Sequence, residues 1–397
     1  MSMTTLISFL GKGRRDVSTN AYQKVVYRID GVEWPATSYF GQALAKHLGK
    51  TTKLVVLGTA SSIWDVFGLD LTEDNNELFD KFSMLELDKA ISEGCVTQAM
   101  LDELGVLLSQ QLGMQVILVL IGFAQSTQEQ AHLLEKVSQH VAEGDHVALD
   151  VTHGFRHLPM LALVAARYLE HVRQAKVDDI FYGALEMCGA DGVAPVIKLK
   201  GLLTMLDWVD ALSSYKKDGD YSTFADLLLA GGMSEGQAND LRRAAFHERA
   251  NSSELAKPKL STASAAIADQ PNALVRLFKG ELQKRMAWAK EPDRSARELA
   301  LADAYLQRKD FLRGVLYLFE GLITAEVMRA KGNHGDYVER EEAKQRLKES
   351  RTEFGELDRL RNALAHGLRS DDKAVNRWLE NEEAMEAQIR RIRKALR

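Results

Sequence analysis

Cysteine is scarce in this sequence: Cys95 and Cys188 are the only two in 397 residues. They supply neither a framework of bridges nor a paired metal-ligand spacing, so the composition fits a reducing, cytoplasmic setting. Long apolar runs are missing as well. No segment approaches the roughly 20 consecutive apolar residues of a membrane-spanning helix. The start, "MSMTTLISFLGKGRRD", lacks the basic opening and small-residue cleavage site of a signal peptide and reads as a first strand. Nor is there an excess of positive charge. The formal net charge of −5 argues against coating nucleic acid through bulk charge, and leaves room for a local basic groove. No fixed-period repeat is present. What remains is an ordinary globular composition, 46% hydrophobic and 27% charged, in a chain long enough for two or three domains.

The two halves of the chain follow different patterns. Over residues 1–200, short apolar runs alternate with helical spacing. "TTLISFLG", "KVVYRID", "TKLVVLGTASS", "MQVILVLIG", "HVALDVTHG", "DDIFYGALEM" and "APVIKLK" read as strands. "TSYFGQALAKHLG", "TQEQAHLLEKVSQHV" and "RHLPMLALVAARYLEHV" between them read as helices. Continuous Val, Ile and Leu runs separated by helices predict a mostly parallel sheet covered on both faces, a Rossmann-like α/β domain. Over residues 201–397 the strands stop and the periodic segments are helical, which predicts an all-α domain. Residues 250–271, "ANSSELAKPKLSTASAAIADQP", are rich in Ser and Ala and short of large apolar side chains, and read as a loop or mobile connection.

In open parallel sheets ligands gather beyond the carboxyl ends of the strands. Those positions hold Gly11-Lys12-Gly13-Arg14-Arg15, Gly58-Thr59-Ala60-Ser61-Ser62, Gly122 with Gln125-Ser126-Thr127, and Asp150-Val151-Thr152-His153-Gly154-Phe155-Arg156. Glycines let a ligand approach the backbone, and hydroxyls, amides and cations suit phosphates or nucleobases. The machinery of common nucleotide enzymes is absent. "GKGRRD" lacks the third glycine of the dinucleotide fingerprint, and no acidic residue closes the next strand in the usual ribose-binding manner. Neither a G-x-x-x-x-G-K-[ST] loop nor a G-x-S-x-G elbow occurs. Gly58 and Gly122 also read as plain turn glycines, and Lys12, Arg14 and Arg15 as a solvated basic loop. The loop after Asp150 is different: His153, Arg156 and His157 together exceed what a capped turn needs and point to binding.

"LDVTHGFRHLP", with "ISFLGKG" and "LGTASSIWD", resembles the CRISPR-associated Rossmann-fold (CARF) sensor domains of type III systems. The likeness covers about the first 200 residues, and Thr-His-Gly-Phe-Arg is its most specific part. It implies a strand-end pocket for a cyclic oligoadenylate activator, bound across a dimer of two such domains. Carried over by position, Gly11, Lys12, Gly13, Thr59, Ser61, Thr152, His153, Gly154 and Arg156 would line it. Trp64 has two readings, a stacking platform for adenine and a core residue.

Near the C-terminus, "LDRLRNALAHGLRS" carries helical spacing in Phe354, Leu357, Leu360 and Leu364. Downstream of a CARF-like domain, Arg361-Asn362-Ala363-Leu364-Ala365-His366 resembles the R-x4-H motif of helical HEPN ribonucleases. That likeness implies a metal-independent endoribonuclease with single-stranded RNA as substrate, no cofactor, and Arg361, Asn362 and His366 as catalytic residues. At about 100° per residue, Arg361 lies about 140° from His366 around the helix, so two copies of the motif across a two-fold axis are expected to share one cleft. His366 would move the proton, Arg361 would stabilise the phosphate charge, and Asn362 would orient the His or the RNA. Arg359 is a rival for the arginine role. Glu320 reads as an edge-of-core carboxylate, His334 as a loop residue, and the tail "IRRIRKALR" as a solvated helix face. Two further readings stay open: a ligand-responsive regulator without catalysis, and degradation of the activator within the CARF pocket.

Overall fold

The computed structural model describes residues 4–13, 22–71, 84–367 and 372–396, and within 69–71 only the backbone. Two compact units divide the chain, Met1–Thr204 and Met205–Arg397.

In the first unit the strands are β1 (Thr4–Leu10), β2 (Val25–Ile29), β3 (Val32–Thr37), β4 (Thr51–Gly58), β5 (Gln115–Leu120), β6 (His146–Asp150), β7 (Lys176–Gly183) and β8 (Val193–Lys198). They form one sheet in the order β3-β2-β8-β7-β6-β1-β4-β5. β1 pairs in parallel with both β4 and β6, and every one of its residues is buried. That is why its sequence is apolar without alternation. Leu6 and Leu10 point into one core and Ile7 and Phe9 into the other. The helices are α1 (Phe40–Leu48), α2 (Val66–Leu71), α3 (Met84–Glu93), α4 (Gln98–Leu112), α5 (Thr127–Gln139) and α6 (Leu158–Val172). Side chains of α1, α3 and α4 cover the Leu6 face, and those of α5 and α6 the Ile7 face.

Two strand pairings are antiparallel, β2 with β3 and β7 with β8, so the sheet is mixed, with parallel pairs in the majority. β3 is not apparent from the sequence pattern. It lies at the sheet edge, is largely exposed and carries Pro35, which an edge strand tolerates because its outer N–H has no ladder partner.

α7 (Lys200–Asp218) leads into α8 (Ala225–Ala230), α9 (Glu235–Arg249), α10 (Ser253–Ala268), α11 (Ala273–Arg285), α12 (Arg294–Gln307), α13 (Phe311–Arg329), α14 (Tyr337–Ser350), α15 (Thr352–His366), α16 (Lys373–Leu379) and α17 (Glu382–Ala395). α13 is the centre of this unit. Val315, Leu318, Phe319, Leu322 and Ile323 are buried on several sides of it, the pattern of a helix enclosed by others. The loop expected over 250–271 is a correction: 253–268 is α10, despite Pro258 inside it. Ala256, Leu260, Ala263 and Ile267 make a fully buried stripe at four-, three- and four-residue spacing. Alanine is the strongest helix former and allows close approach to Ala244 and Ala245 of α9, so burial is carried by small residues that register weakly as apolar.

Candidate functional site

The end of β6 anchors the strand-end region. Asp150 is fully buried; Ser8 Oγ donates to it at 2.6 Å and the Thr152 N–H at 2.8 Å. Burial holds its carboxyl above the usual carboxylate range, with His153 and these hydrogen bonds opposing. His153 Nε2 accepts the N–H of Phe40, the first residue of α1, at 3.2 Å. An accepting Nε2 means a neutral ring with its proton on Nδ1, and burial pushes its pKa down in the same sense. Thr152 Oγ1 accepts the Gly183 N–H at 2.8 Å, tying the β6 loop to the end of β7.

Two of the glycines serve each other. Gly154 has φ +105°, and a Cβ on Gly11 would stand 2.5 Å from the Gly154 nitrogen. The loops after β1 and β6 therefore meet backbone to backbone.

Above them lies an open cleft of about 270 Å³. Of the residues singled out in the sequence, Lys12, Gly13, Thr152, His153 and Gly154 line it. Gly11 is not among the lining residues and packs against the Gly154 backbone. Thr59 and Ser61 are not among the lining residues. Thr59 is buried; its N–H donates to Ser62 Oγ at 2.9 Å, and Ser62 Oγ donates to the Leu10 carbonyl at 2.7 Å. Those hydroxyls brace a turn. Arg156 is exposed and outside the lining, within electrostatic reach of Tyr182 and Glu186. Trp64 is fully buried, with its indole N–H donating to the Thr59 carbonyl at 2.9 Å, so it is a core residue. Ser126 caps α5 by accepting the Glu129 N–H at 3.2 Å. Arg14 and Arg15 lie outside the described residues.

The other wall of the cleft is not marked in the sequence: Tyr22, Gln23 and Ser38 before α1, Tyr182 at the end of β7, and Leu185 and Glu186 after it. The strand-end rule that selected the β6 loop selects Tyr182-Gly183 equally, once β7 is placed beside β6. Nothing local in the sequence marks Tyr22, which reaches across the fold to hydrogen-bond the buried Asp65 at 2.7 Å.

In the helical unit, Arg361, Asn362 and His366 occupy the last turns of α15. Arg361 is held from two sides. Its Nη2 donates to Asp358 Oδ1 at 3.0 Å, and its guanidinium lies 4.4 Å from the centre of the Phe319 ring. Asp358 is buried and also pairs with Lys348 at 2.6 Å. Asn362 is half-buried. His366 is exposed, followed by Gly367 in the left-handed conformation that closes the helix. Arg359 pairs with Asp372 at 2.9 Å. Glu320 pairs with Arg340, Glu326 with Arg329 at 2.7 Å, and the His334 carbonyl accepts from Arg294 and Arg340, both at 3.1 Å. Of the tail arginines, Arg390 pairs with Glu386, Arg391 with Glu356, and Arg393 with Asp303.

The strand-end cleft of this Rossmann-like sheet gathers a lysine, an imidazole, hydroxyls and closely apposed glycine loops, where open parallel sheets take their ligands. Residues 5–186 match the family model described as CRISPR system endoribonuclease Csx1, CARF domain. The chain is also 25% identical over 247 residues to CRISPR-associated protein MJ1674 of Methanocaldococcus jannaschii, covering 57% of this chain and 38% of that protein. The two matches support a CRISPR-associated, CARF-containing effector, and the chain spans well under half of that relative's length. Among the described residues no helix is long and apolar enough to cross a membrane.

Proposed function

We propose that the protein is an endoribonuclease switched on by a cyclic oligoadenylate bound in the CARF cleft. The observation that carries this reading is the pairing, in one chain, of a CARF-family unit with the Arg361-Asn362…His366 arrangement at the end of α15. His366, exposed in the last turn, takes the proton of a ribose 2′-hydroxyl as it attacks the adjacent phosphate or protonates the 5′-oxygen whose bond to phosphorus breaks, leaving a 2′,3′-cyclic phosphate and a 5′-hydroxyl. Arg361, fixed by Asp358 and Phe319, stabilises the charge that builds on the phosphate oxygens, and Asn362 orients His366 or the RNA. Two copies of the motif complete the site. The reaction uses the substrate's own 2′-hydroxyl, so RNA is cut, DNA is not, and chelators leave the rate unchanged.

A reading without catalysis has one observation in its favour: Arg361 is tied to Asp358 and Phe319 of its own unit. The deciding experiment is a fluorescent single-stranded RNA reporter mixed with cyclic tri-, tetra- or hexa-adenylate. Cleavage stimulated by one ring size, retained in EDTA and lowered about 10²- to 10⁴-fold in His366→Ala, is the expected result. No stimulated cleavage in the wild type, or an unchanged rate in His366→Ala, overturns the assignment.

A further inference from the structure

The cleft carries opposite charges on its two flanks. The order β7-β6-β1 sets the loops after these strands side by side. At about 4.8 Å per strand, the β7 loop stands roughly 10 Å from the β1 loop, with Thr152–Gly154 between them. Lys12 belongs to the β1 flank and Glu186 to the β7 flank.

Tyr182 defines the state of Glu186. Its hydroxyl donates to the Glu186 carboxylate. That bond, with Arg156 nearby, holds Glu186 below the usual carboxylate range. Burial, reinforced by the acidic neighbour, pushes the Tyr182 phenol up to about 12. At neutral pH the pair is therefore a phenol donor spent on a carboxylate. A carboxylate has about four lone-pair sites, and Tyr182 fills one. Such a group repels a phosphate and attracts a neutral partner that presents N–H donors. Val25, Ile63 and Leu185 add apolar wall to the same cleft, suited to the face of a heterocycle.

Resting on the reading of the cleft as a cyclic oligoadenylate site, we propose that Glu186, positioned by Tyr182, accepts from the exocyclic amino group of a bound purine while the phosphate lies on the Lys12 flank. The cleft then selects 6-amino over 6-oxo purines, because a 6-oxo group would set acceptor against acceptor.

Calorimetric titration of the full chain with cyclic tri-, tetra- and hexa-adenylate and the matching cyclic inosinates tests this. The wild type is expected to bind the adenylate of its preferred ring size roughly ten- to a hundredfold more tightly than the inosinate, the scale of a hydrogen bond to a charged group. Glu186→Gln, whose amide donates to a 6-oxo group, is expected to shrink that preference about tenfold or more, mainly by gaining inosinate affinity. Tyr182→Phe frees the carboxylate and is expected to fall between the two. Glu186 is exposed, so the substitution leaves the core untouched. Equal wild-type affinity for both purines, or an undiminished preference in Glu186→Gln, overturns the inference while the sensing role stands. A wild type that binds no cyclic adenylate at all overturns the sensing role, and this inference with it.

Discussion

At Gly154 the φ of +105° and a Leu158 Cδ1 that would lie 2.9 Å from an added Cβ both argue against any side chain. Gly154→Ala is expected to destabilise the first unit by about 1–3 kcal/mol, since the positive-φ backbone and the contact with Leu158 must both yield. Urea titration checks it, and a variant as stable as the wild type would remove the steric account. The same loop shows what single residues reveal in sequence. Lys12, Thr152, His153 and Gly154 were legible because a parallel strand delivers its next residues to one edge. Thr59 and Ser61 follow an equivalent strand and carry equally suitable hydroxyls. They are absent from the lining because Ser62 folds back onto the Leu10 carbonyl and closes that turn on itself, a three-dimensional event that residue type does not announce. Tyr182 and Glu186 were invisible for the converse reason: their relevance depends on β7 lying next to β6.

Helices α9, α12 and α13 meet around a buried carboxyl. Glu248 of α9 is 2% exposed; Tyr305 of α12 donates to its Oε1 at 2.9 Å, and Tyr317 of α13 donates to its carbonyl. Tyr305 and Tyr317 stack 5.7 Å apart, with the Arg308 guanidinium 4.5 Å from the Tyr305 ring. Burial raises the Glu248 pKa to about 7, against the hydrogen bonds and Arg308, which lower it. The folded state thus holds a proton that the unfolded chain, titrating near 4.5, has released. Stability is greatest below about pH 4.5, falls as pH rises through 7, and by pH 8 has lost about 3 kcal/mol relative to a residue that does not ionise. Glu248→Gln is therefore expected to gain on the wild type between pH 5 and pH 8; parallel denaturation curves at the two pH values would refute it. The α9–α10 pair also shows what element patterns conceal. Large apolar side chains signal a helix in sequence, and where alanines do the burying that signal vanishes while the helix remains. β3 escaped for a related reason, being an exposed edge strand with no apolar run to find.

On the scale of the whole molecule, the proposed switch has a thermodynamic consequence that does not depend on how the two units are arranged. If a cyclic adenylate stimulates cleavage by favouring the RNA-competent state, RNA must favour the ligand-binding state by the same factor, because both bias one equilibrium. His366→Ala with a 2′-O-methyl RNA allows both halves to be measured without turnover. Adding saturating RNA is expected to tighten cyclic adenylate binding, and adding the adenylate to tighten RNA binding, by one common factor between about 5 and 150. A stimulated wild-type rate alongside two affinities indifferent to one another would mean that the ligand acts on the chemical step after RNA has bound. Reciprocity holds for binding free energies and not for kcat, so that outcome would relocate the switch from population to transition state. The carboxylate at Glu186 enters the same test. Glu186→Gln is expected to weaken adenylate binding in the presence and absence of RNA alike, leaving the common factor intact, since it alters the ligand's grip and not the equilibrium that both ligands share.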